Sequence, residues 1–199
     1  MDSKKTPLYD EHVSLGGKIV NYAGWLLPVQ YEGLVPEHKA VRDAAGIFDV
    51  SHMGSIFING KDAKDYLDYL MTNDITKLNT KQIVYTFMCY PDGGVVDDLL
   101  VYKFNEEKYF LVVNAANLDK DFNWLVENKG SFEVELDNVS NNTCILALQG
   151  PSAEKILQEI TSLDLSQVKF FYFEDQVKLD GIDARISRTG YTGEDGFEI

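Results

Sequence analysis

Three strand-like segments separated by short turns occupy the middle of the chain. Residues 83–90, 95–104 and 109–114 are rich in β-branched and aromatic side chains, a composition typical of strands. The stretch Pro91-Asp92-Gly93-Gly94 joins the first two, and residues 105–108 join the second to the third. Because connections this short link neighbouring strands that run in opposite directions, the pattern predicts a three-stranded antiparallel meander.

Helical and strand-like segments mix elsewhere without a strict alternation. Apolar periodicity and capping residues predict helices at residues 36–45, 62–70, 118–129 and 151–160, the last with Ile156, Leu157 and Ile160 facing inward. Further strands are predicted as a pair at 132–139 and 143–148, and at 176–179 and 182–187 around the Asp180-Gly181 turn. The fold class is therefore α+β, with mostly antiparallel sheets and flanking helices. No internal repeat is evident.

The chain ends inside a strand-like pattern, Gly196-Phe197-Glu198-Ile199. Few intact proteins stop within such a run. We therefore expect the chain to be the N-terminal portion of a longer protein whose C-terminal part is missing.

Composition excludes several classes of protein. Apolar residues make up 45% of the chain, which is ample for a core. The formal net charge is -14, and no segment collects the Lys and Arg that a phosphate backbone requires, so we expect no nucleic-acid partner. The sequence has no apolar leader and no run of about 18 apolar residues, and its two cysteines, Cys89 and Cys144, are predicted to be buried hydrophobes. We expect no membrane association and a cytoplasmic location.

Two adjacent carboxylates, Asp97 and Asp98, lie within the second strand of the predicted meander. Strand periodicity directs them to opposite faces, each of which is otherwise apolar. An unpaired buried charge is unfavourable, so each carboxylate needs a partner, a water-filled cavity or a ligand. One interpretation is a functional site, and the other is that a carboxylate caps the hairpin or accepts from the amides of Gly93 and Gly94.

Two other segments bear on chemistry. Glycines recur at positions 190, 193 and 196, which predicts either a flexible loop that lets the backbone approach a ligand or an ordinary acidic turn. The segment lacks lysine and carries Glu194 and Asp195, so it is not a phosphate-binding loop. The three histidines are too scattered for a metal site, and we expect His52 to be hydrogen-bonded in a core or capping role.

Several short motifs, in order along nearly the whole chain, resemble the aminomethyltransferase family, the T-proteins of the glycine cleavage system. They are Tyr22-Ala23-Gly24-Trp25, Phe48-Asp49-Val50-Ser51-His52-Met53, Gly93-Gly94 with Asp97-Asp98-Leu99, Val113-Asn114-Ala115, Leu148-Gln149-Gly150-Pro151, and Gly190-Tyr191-Thr192-Gly193-Glu194-Asp195-Gly196. Each motif is modest alone, but the ordered set is specific.

The resemblance implies a reaction and its partners. In this family an aminomethyl group on the lipoyl arm of H-protein passes to tetrahydrofolate, which gives 5,10-methylenetetrahydrofolate and ammonia. The expected partners are therefore lipoylated H-protein and the small-molecule folate, which is a substrate rather than a resident cofactor, and no metal is implied. The resemblance therefore implies a monomer.

The resemblance also assigns residues and domains. Asp98 is expected to be the catalytic carboxylate that hydrogen-bonds the folate amine, and Asp97 to be structural. The expected folate-binding residues are Glu198, which would pair with the N–H donors of the pterin, and the pocket-lining Tyr191, Asn114, Tyr85 and Met53. The fold implied is two interleaved domains of the aminomethyltransferase folate-binding fold: residues 1–50 plus 139–199 form the first, and residues 51–138 form the inserted second domain.

Two alternatives remain open from sequence. One is a folate-binding assembly factor for iron–sulfur or tRNA-modifying proteins, which does not transfer aminomethyl groups. Those relatives usually carry Lys-Gly-Cys near the late glycine loop, whereas this chain has Arg188-Thr189-Gly190, which favours the transferase. The other alternative is an inactive fragment, because an arginine and a final domain that help to close the folate site would lie beyond residue 199.

Overall fold

The computed structural model describes residues 3–199. Its helices are α1 (Tyr9–Ser14), α2 (Leu34–Asp43), α3 (Ala63–Leu70), α4 (Leu118–Glu127) and α5 (Ala153–Gln158). Its strands are β1 (Lys4–Lys5), β2 (Ile19–Tyr22), β3 (Trp25–Pro28), β4 (Gly46–Asp49), β5 (Gly54–Asn59), β6 (Ile83–Cys89), β7 (Val95–Asn105), β8 (Lys108–Val113), β9 (Glu135–Asn138), β10 (Leu146–Gln149), β11 (Phe173–Leu179), β12 (Ile182–Ser187) and β13 (Gly196–Glu198). The α+β class with mostly antiparallel sheets is confirmed.

The chain divides into two compact units. The first unit comprises the residues up to His52 together with Cys144–Ile199, and the second comprises Met53–Thr143. The second unit is therefore an insertion between two segments of the first.

The second unit contains the predicted meander. Strands β6, β7 and β8 pair in sequence, antiparallel, in a five-stranded sheet of order β6-β7-β8-β5-β9. Helices α3 and α4 supply the apolar side chains that pack with one face of this sheet, and the core includes Ile56, Leu67, Leu99, Val101 and Leu125. Burial of these aliphatic groups is the main stabilising contribution to the unit.

The first unit contains a second five-stranded sheet, of order β11-β12-β13-β10-β4, and a small sheet of order β1-β3-β2. The predicted Asp180-Gly181 turn joins β11 to β12, and both turn residues have positive φ, 49° and 88°. Positive φ at both central positions is the requirement of the commonest two-residue hairpin turn. The expected strand at the end of the chain is β13.

The two units share one topology, which corrects the expectation that the chain has no internal repeat. In each unit, a leading strand (β5 or β10) is followed by a helix, a 3₁₀ turn and three strands that pair in order. The last of these three strands (β8 or β13) pairs with the leading strand. Matching residues lie 90 positions apart: Gly60 and Gly150 both have positive φ, and Leu67 and Leu157 are both buried. The repeat escapes sequence comparison because only a few positions that packing or backbone geometry restricts remain alike.

Several local predictions need correction. Helix α5 has only six residues, and Ile160 lies beyond its end. Leu157 faces the core as predicted, whereas Ile156 and Ile160 are exposed. The segments predicted as a pair at 132–139 and 143–148 do not pair with each other: β9 pairs with β5, and β10 pairs with β4 and β13. Cys144, predicted to be buried, is exposed, and Cys89 is only half-buried.

The 62–70 helix prediction takes Asp62 as the N-cap residue of α3, and the structure does not show this cap. Asp62 occupies the position before the helix, but its carboxylate accepts from the backbone N–H of Glu133 at 2.8 Å instead of capping α3. Within residues 3–199, no helix has both the length and the apolar character needed to cross a bilayer.

Candidate functional site

Strand β7 presents its two carboxylates to different environments. Asp97 is 4% exposed and shares a face with the core residues Leu99 and Val101. Asp98 lies on the opposite face and is half-buried. The two-residue period of the strand accounts for the difference.

The Asp98 carboxylate is held by side chains. The hydroxyl of Tyr85 donates to Asp98 Oδ2 at 2.5 Å, and the side-chain amide of Asn114 donates to Oδ1 at 3.0 Å. Phe87 lies directly opposite Asp98 on β6, and its ring contacts that of Tyr85 edge to face at 5.5 Å. Both rings are partly open to solvent. A carboxylate therefore lies beside two accessible aromatic rings, an arrangement that suits a planar ligand carrying N–H groups.

Asp97 has a different set of partners. Its carboxylate accepts from the backbone N–H of Asn114 at 3.3 Å, from Asn114 Nδ2 at 3.1 Å and from Asn117 Nδ2 at 2.7 Å. The alternative role considered for one of these carboxylates, accepting from the hairpin glycines, belongs instead to Asp92, which accepts from the N–H of Gly94 at 3.0 Å.

Asn114 links the two carboxylates. It follows β8 and begins the turn that leads into α4. Its Nδ2 atom lies within 3.1 Å of three oxygens: Asp97 Oδ1, the backbone carbonyl of Asp98, and Asp98 Oδ1. Amide hydrogens shared between two acids fix the orientation of both side chains.

The structure brings together three of the six predicted site residues, Asp98, Tyr85 and Asn114. Met53 belongs to the same unit and lies half-buried just before β5, outside this hydrogen-bonded group. Tyr191 and Glu198 belong to the first unit.

Glu198 ends β13 and is held by a short relay of hydroxyls. Thr189 donates to Glu198 Oε2, and the hydroxyls of Thr189 and Ser187 lie 2.8 Å apart. Burial raises the pKa of the Glu198 carboxyl, although the hydrogen bond from Thr189 acts in the opposite direction. Tyr191 lies between these residues in sequence, and its side chain is 97% exposed.

Gly190 and Gly196 of the late glycine segment pack against the buried Gln149 and the strand that carries it. Gln149 Nε2 donates to the carbonyl of Thr189 at 3.0 Å, and its Oε1 accepts from the hydroxyl of Thr192 at 2.9 Å. A Cβ atom on Gly190 would lie 1.9 Å from Gln149 Oε1, and one on Gly196 would lie 2.4 Å from the carbonyl of Leu148. The backbone approaches the protein itself at these positions.

Asn117, Asp121 and Gln149 were missed as contributors to the site. A signal for Asp121 exists, because it lies three residues after Leu118 and four before Leu125 and so falls on the inward stripe of α4. No local pattern marks Asn117, whose partner Asp97 is distant in sequence. Gln149 belongs to the motif Leu148-Gln149-Gly150-Pro151, but that motif does not reveal its buried contacts with Thr189 and Thr192.

The histidines take structural positions. His12 Nε2 lies 2.8 Å from Asp49 Oδ2, and its Nδ1 lies 2.7 Å from the hydroxyl of Tyr31. His52 was expected to be hydrogen-bonded in a core or capping role, but its Nδ1 atom is buried and has no partner among residues 3–199. Burial lowers the pKa of His52, and the Asp49 charge opposes this shift. Within the described residues, His, Cys, Asp and Glu form no group of three that could hold a metal ion.

Comparison with known proteins gives consistent matches. The family model described as GCVT N-terminal domain matches residues 8–199. The chain is 62% identical over 196 residues to the aminomethyltransferase of Alkaliphilus oremlandii and 58% identical over 196 residues to that of Caldanaerobacter subterraneus subsp. tengcongensis, covering 98% of this chain and 53% and 52% of those proteins.

Solved structures agree with these matches. The glycine cleavage system aminomethyltransferase T of Bartonella henselae superposes with a TM-score of 0.89 at 34% identity, over 98% of this chain and 52% of that one. A heterotetrameric sarcosine oxidase from Corynebacterium sp. U-96, at 16% identity and a TM-score of 0.55 over 82% of this chain and 80% of that one, shares the fold alone. The chain thus spans about half the length of the aminomethyltransferases that it matches. It belongs to the family defined by the GCVT N-terminal domain, that of the aminomethyltransferases.

Proposed function

We propose that this chain forms the folate-binding portion of an aminomethyltransferase of the glycine cleavage system. The donor is the aminomethyl group on the lipoyl arm of H-protein, and the acceptor is tetrahydrofolate. Transfer of the one-carbon unit gives 5,10-methylenetetrahydrofolate, ammonia and the free lipoyl thiol. The discontinuous first unit is the first folate-binding domain in this proposal, and the inserted second unit is the second.

The observation that carries the proposal is the placement of Asp98. Its carboxylate is held by Tyr85 and Asn114 on the face of β7 that turns away from the core. When the lipoyl sulfur departs as a thiolate, the aminomethyl carbon keeps its nitrogen and takes on cationic, iminium-like character. The folate nitrogen attacks this carbon, and ammonia then leaves as the second folate nitrogen closes the methylene bridge. A fixed carboxylate stabilises that charge and accepts a hydrogen bond from the folate nitrogen N10, which orients the nitrogen for attack on the carbon.

Glu198 and the exposed ring of Tyr191 are proposed to bind the pterin. A carboxylate accepts two parallel N–H donors, which matches the amino group and ring N–H of a pterin. Burial of Glu198 supports this role, because a partly desolvated carboxylate gains more from such donors than one in water does. We propose that Tyr85, Asn114 and Met53 of the second unit also contact folate.

Replacing Asp98 tests the catalytic assignment. In the full-length enzyme, Asp98→Asn is expected to lower kcat by roughly 10²- to 10³-fold with a small change in KM for tetrahydrofolate, because the charge acts mainly in the transition state. Asp137→Asn removes one negative charge from an exposed position of the same sheet and serves as the matched control. Equal losses in kcat and in folate affinity would reduce Asp98 to a binding residue.

Replacing Glu198 separates binding from chemistry. Glu198→Ala is expected to weaken tetrahydrofolate binding, measured by calorimetry, while kcat at saturating folate changes little. Glu159→Ala, which removes an exposed carboxylate from the same unit, is the control. An unchanged folate affinity would remove Glu198 from the pocket.

Folate binding by the wild-type enzyme without any aminomethyl transfer would favour an assembly factor.

Further features belong to the same proposal. The enzyme acts as a monomer in the cytoplasm, and its partners are H-protein and folate, without nucleic acid, membrane or metal. We propose that residues 1–199 alone have negligible transferase activity, since they span about half the length of the relatives.

A further inference from the structure

Helix α4 carries a carboxyl group into the core of the second unit. Asp121 has no exposed surface and lies on the stripe of α4 that also buries Leu125. Among residues 3–199, no N–H or O–H donor reaches either of its carboxyl oxygens. An ionised carboxylate without donors is strongly disfavoured in such surroundings, whereas a neutral carboxylic acid tolerates them.

The side chain that faces Asp121 is the second buried acid, Asp97. The Asp97 carboxylate accepts from three N–H groups, two of Asn114 and one of Asn117. Each of these hydrogen bonds requires an Asp97 oxygen to act as an acceptor. Two carboxyl groups that face each other do not both ionise, because their negative charges repel. The shared proton therefore resides on Asp121, whose oxygens receive no hydrogen bond from another group.

The consequence reaches Asp98 through Asn114, because the amide that bonds Asp97 also bonds Asp98. We propose that Asp121 is a neutral carboxylic acid that donates a hydrogen bond to Asp97 and thereby positions Asn114 against Asp98. Asp121 is thus a positioning residue that acts through two others. Its effect on catalysis rests on the proposed function, whereas its protonation does not.

The electrostatics agree with this assignment. Burial, together with the facing Asp97 carboxylate, raises the pKa of Asp121 to about 8. The other charged groups that act on it are Asp98 on β7, which raises the pKa further, and Lys120 on α4, which lowers it. When Asp121 ionises, it loses the proton that it donates to Asp97, so the hydrogen bond between the two side chains is lost. The new negative charge also repels the Asp97 carboxylate.

Carboxyl ¹³C NMR on the full 199-residue chain tests the protonation directly. The Asp121 resonance is assigned by its loss in Asp121→Asn, and Asp119, an exposed acid on the same helix, serves as the internal control. We expect Asp121 to remain protonated at pH 7 and to titrate near pH 8. Titration of Asp121 near pH 4, the range of an ordinary aspartate, would overturn the proposal.

Unfolding in urea provides a second test on the same chain. Asn at position 121 still donates to Asp97, whereas Ala does not. Because the folded state binds a proton that the unfolded state releases above about pH 4, the wild-type stability falls as pH rises from about 4 to 8. Asp121→Asn should remove this part of the decline and unfold at higher urea than Asp121→Ala. Equal destabilisation by Asn and Ala at pH 7 would contradict a donor role.

Kinetics in the full-length enzyme test the positioning role. We expect the wild-type kcat to fall above about pH 8, as Asp121 ionises. Asp121→Asn should keep kcat within about threefold of wild type at pH 7 and should not show this alkaline fall. Asp121→Ala should lower kcat at least about tenfold with KM unchanged. A wild-type alkaline decline that persists in Asp121→Asn would overturn the positioning role. If the enzyme transfers no aminomethyl group, the proposed function fails, and the NMR and urea results still decide the state of Asp121.

Discussion

Asn114 shows how one residue sets the geometry of the candidate site. Its backbone N–H and side-chain amide together donate to both carboxylates of β7. An apolar residue there would leave two partly buried charges without these donors, and aspartate would add a third negative charge. Asparagine suits this position because its neutral amide donates hydrogen bonds to both Asp97 and Asp98.

Gly190 gives a testable case at the residue scale. Its replacement by Ala forces a Cβ atom against Gln149, and we expect a loss of roughly 1–3 kcal/mol in the free energy of unfolding. The single change Gln149→Ala also destabilises, because the carbonyl of Thr189 loses its donor. The double variant should be more stable than the sum of the two losses predicts, since the shortened side chain at position 149 leaves room for the new methyl group. Strict additivity in chemical denaturation would contradict the steric explanation.

At the scale of elements, a buried polar chain joins α1 to β4. The Asp49 carboxylate accepts from the N–H of Ser51 at 3.0 Å and contacts His12, which in turn contacts Tyr31. Burial acts to raise the pKa of Asp49, but hydrogen bonds that include those from Ser51 and His12 outweigh it, so the pKa is lower than usual. The short helix α1 therefore depends on a tertiary contact, as helices of six residues generally do.

This chain of contacts predicts an acid-sensitive element. Because the folded pKa of Asp49 is depressed, its contribution to stability is complete above the unfolded pKa of about 4 and disappears as pH falls through the folded pKa. Asp49→Asn should lower the thermal midpoint at pH 7 and flatten its decline between about pH 5 and 2. Asp43→Asn, at an exposed position of the same unit, should keep the wild-type slope. A slope unchanged in Asp49→Asn would refute the assignment.

At the scale of the whole molecule, each unit has its own hydrophobic core and the same strand order. The ends of the second unit lie side by side, because Val139 donates to the carbonyl of Ser55 at 2.9 Å and Ser140 Oγ accepts from the N–H of Ser55 at 2.8 Å. Adjacent termini are what an inserted domain requires.

We therefore expect residues 53–143 to fold alone. The isolated segment should show dispersed amide NMR signals and a cooperative thermal transition. Leu67→Ala in the segment should cost about 2–5 kcal/mol, because Leu67 is fully buried, whereas Val126→Ala, at an exposed position, should cost far less. A broad, uncooperative transition of the segment would show that its core is insufficient.

Features that depend on neighbouring residues are predictable from the amino-acid sequence alone. Strand periodicity placed Asp97 and Asp98 on opposite faces, and turn chemistry located the meander and the Asp180-Gly181 hairpin. These signals are local, because the side-chain direction in a strand and the backbone conformation of a tight turn depend on a few adjacent positions. The motifs along the chain identified the family for the same reason, since they are short and ordered.

Contacts between groups that are distant in sequence became known from the three-dimensional fold. It set Asn114 between the two aspartates, seated Gly190 on Gln149, enclosed Asp121 beside Asp97 and revealed the repeated topology. Each of these depends on contacts between segments far apart in sequence, and packing tolerates many side chains as long as volume and polarity are conserved. The pairing of Asp97 with Asp121 leaves no pattern in the nearby sequence. The two side chains affect each other only when folding brings them together and removes both from water.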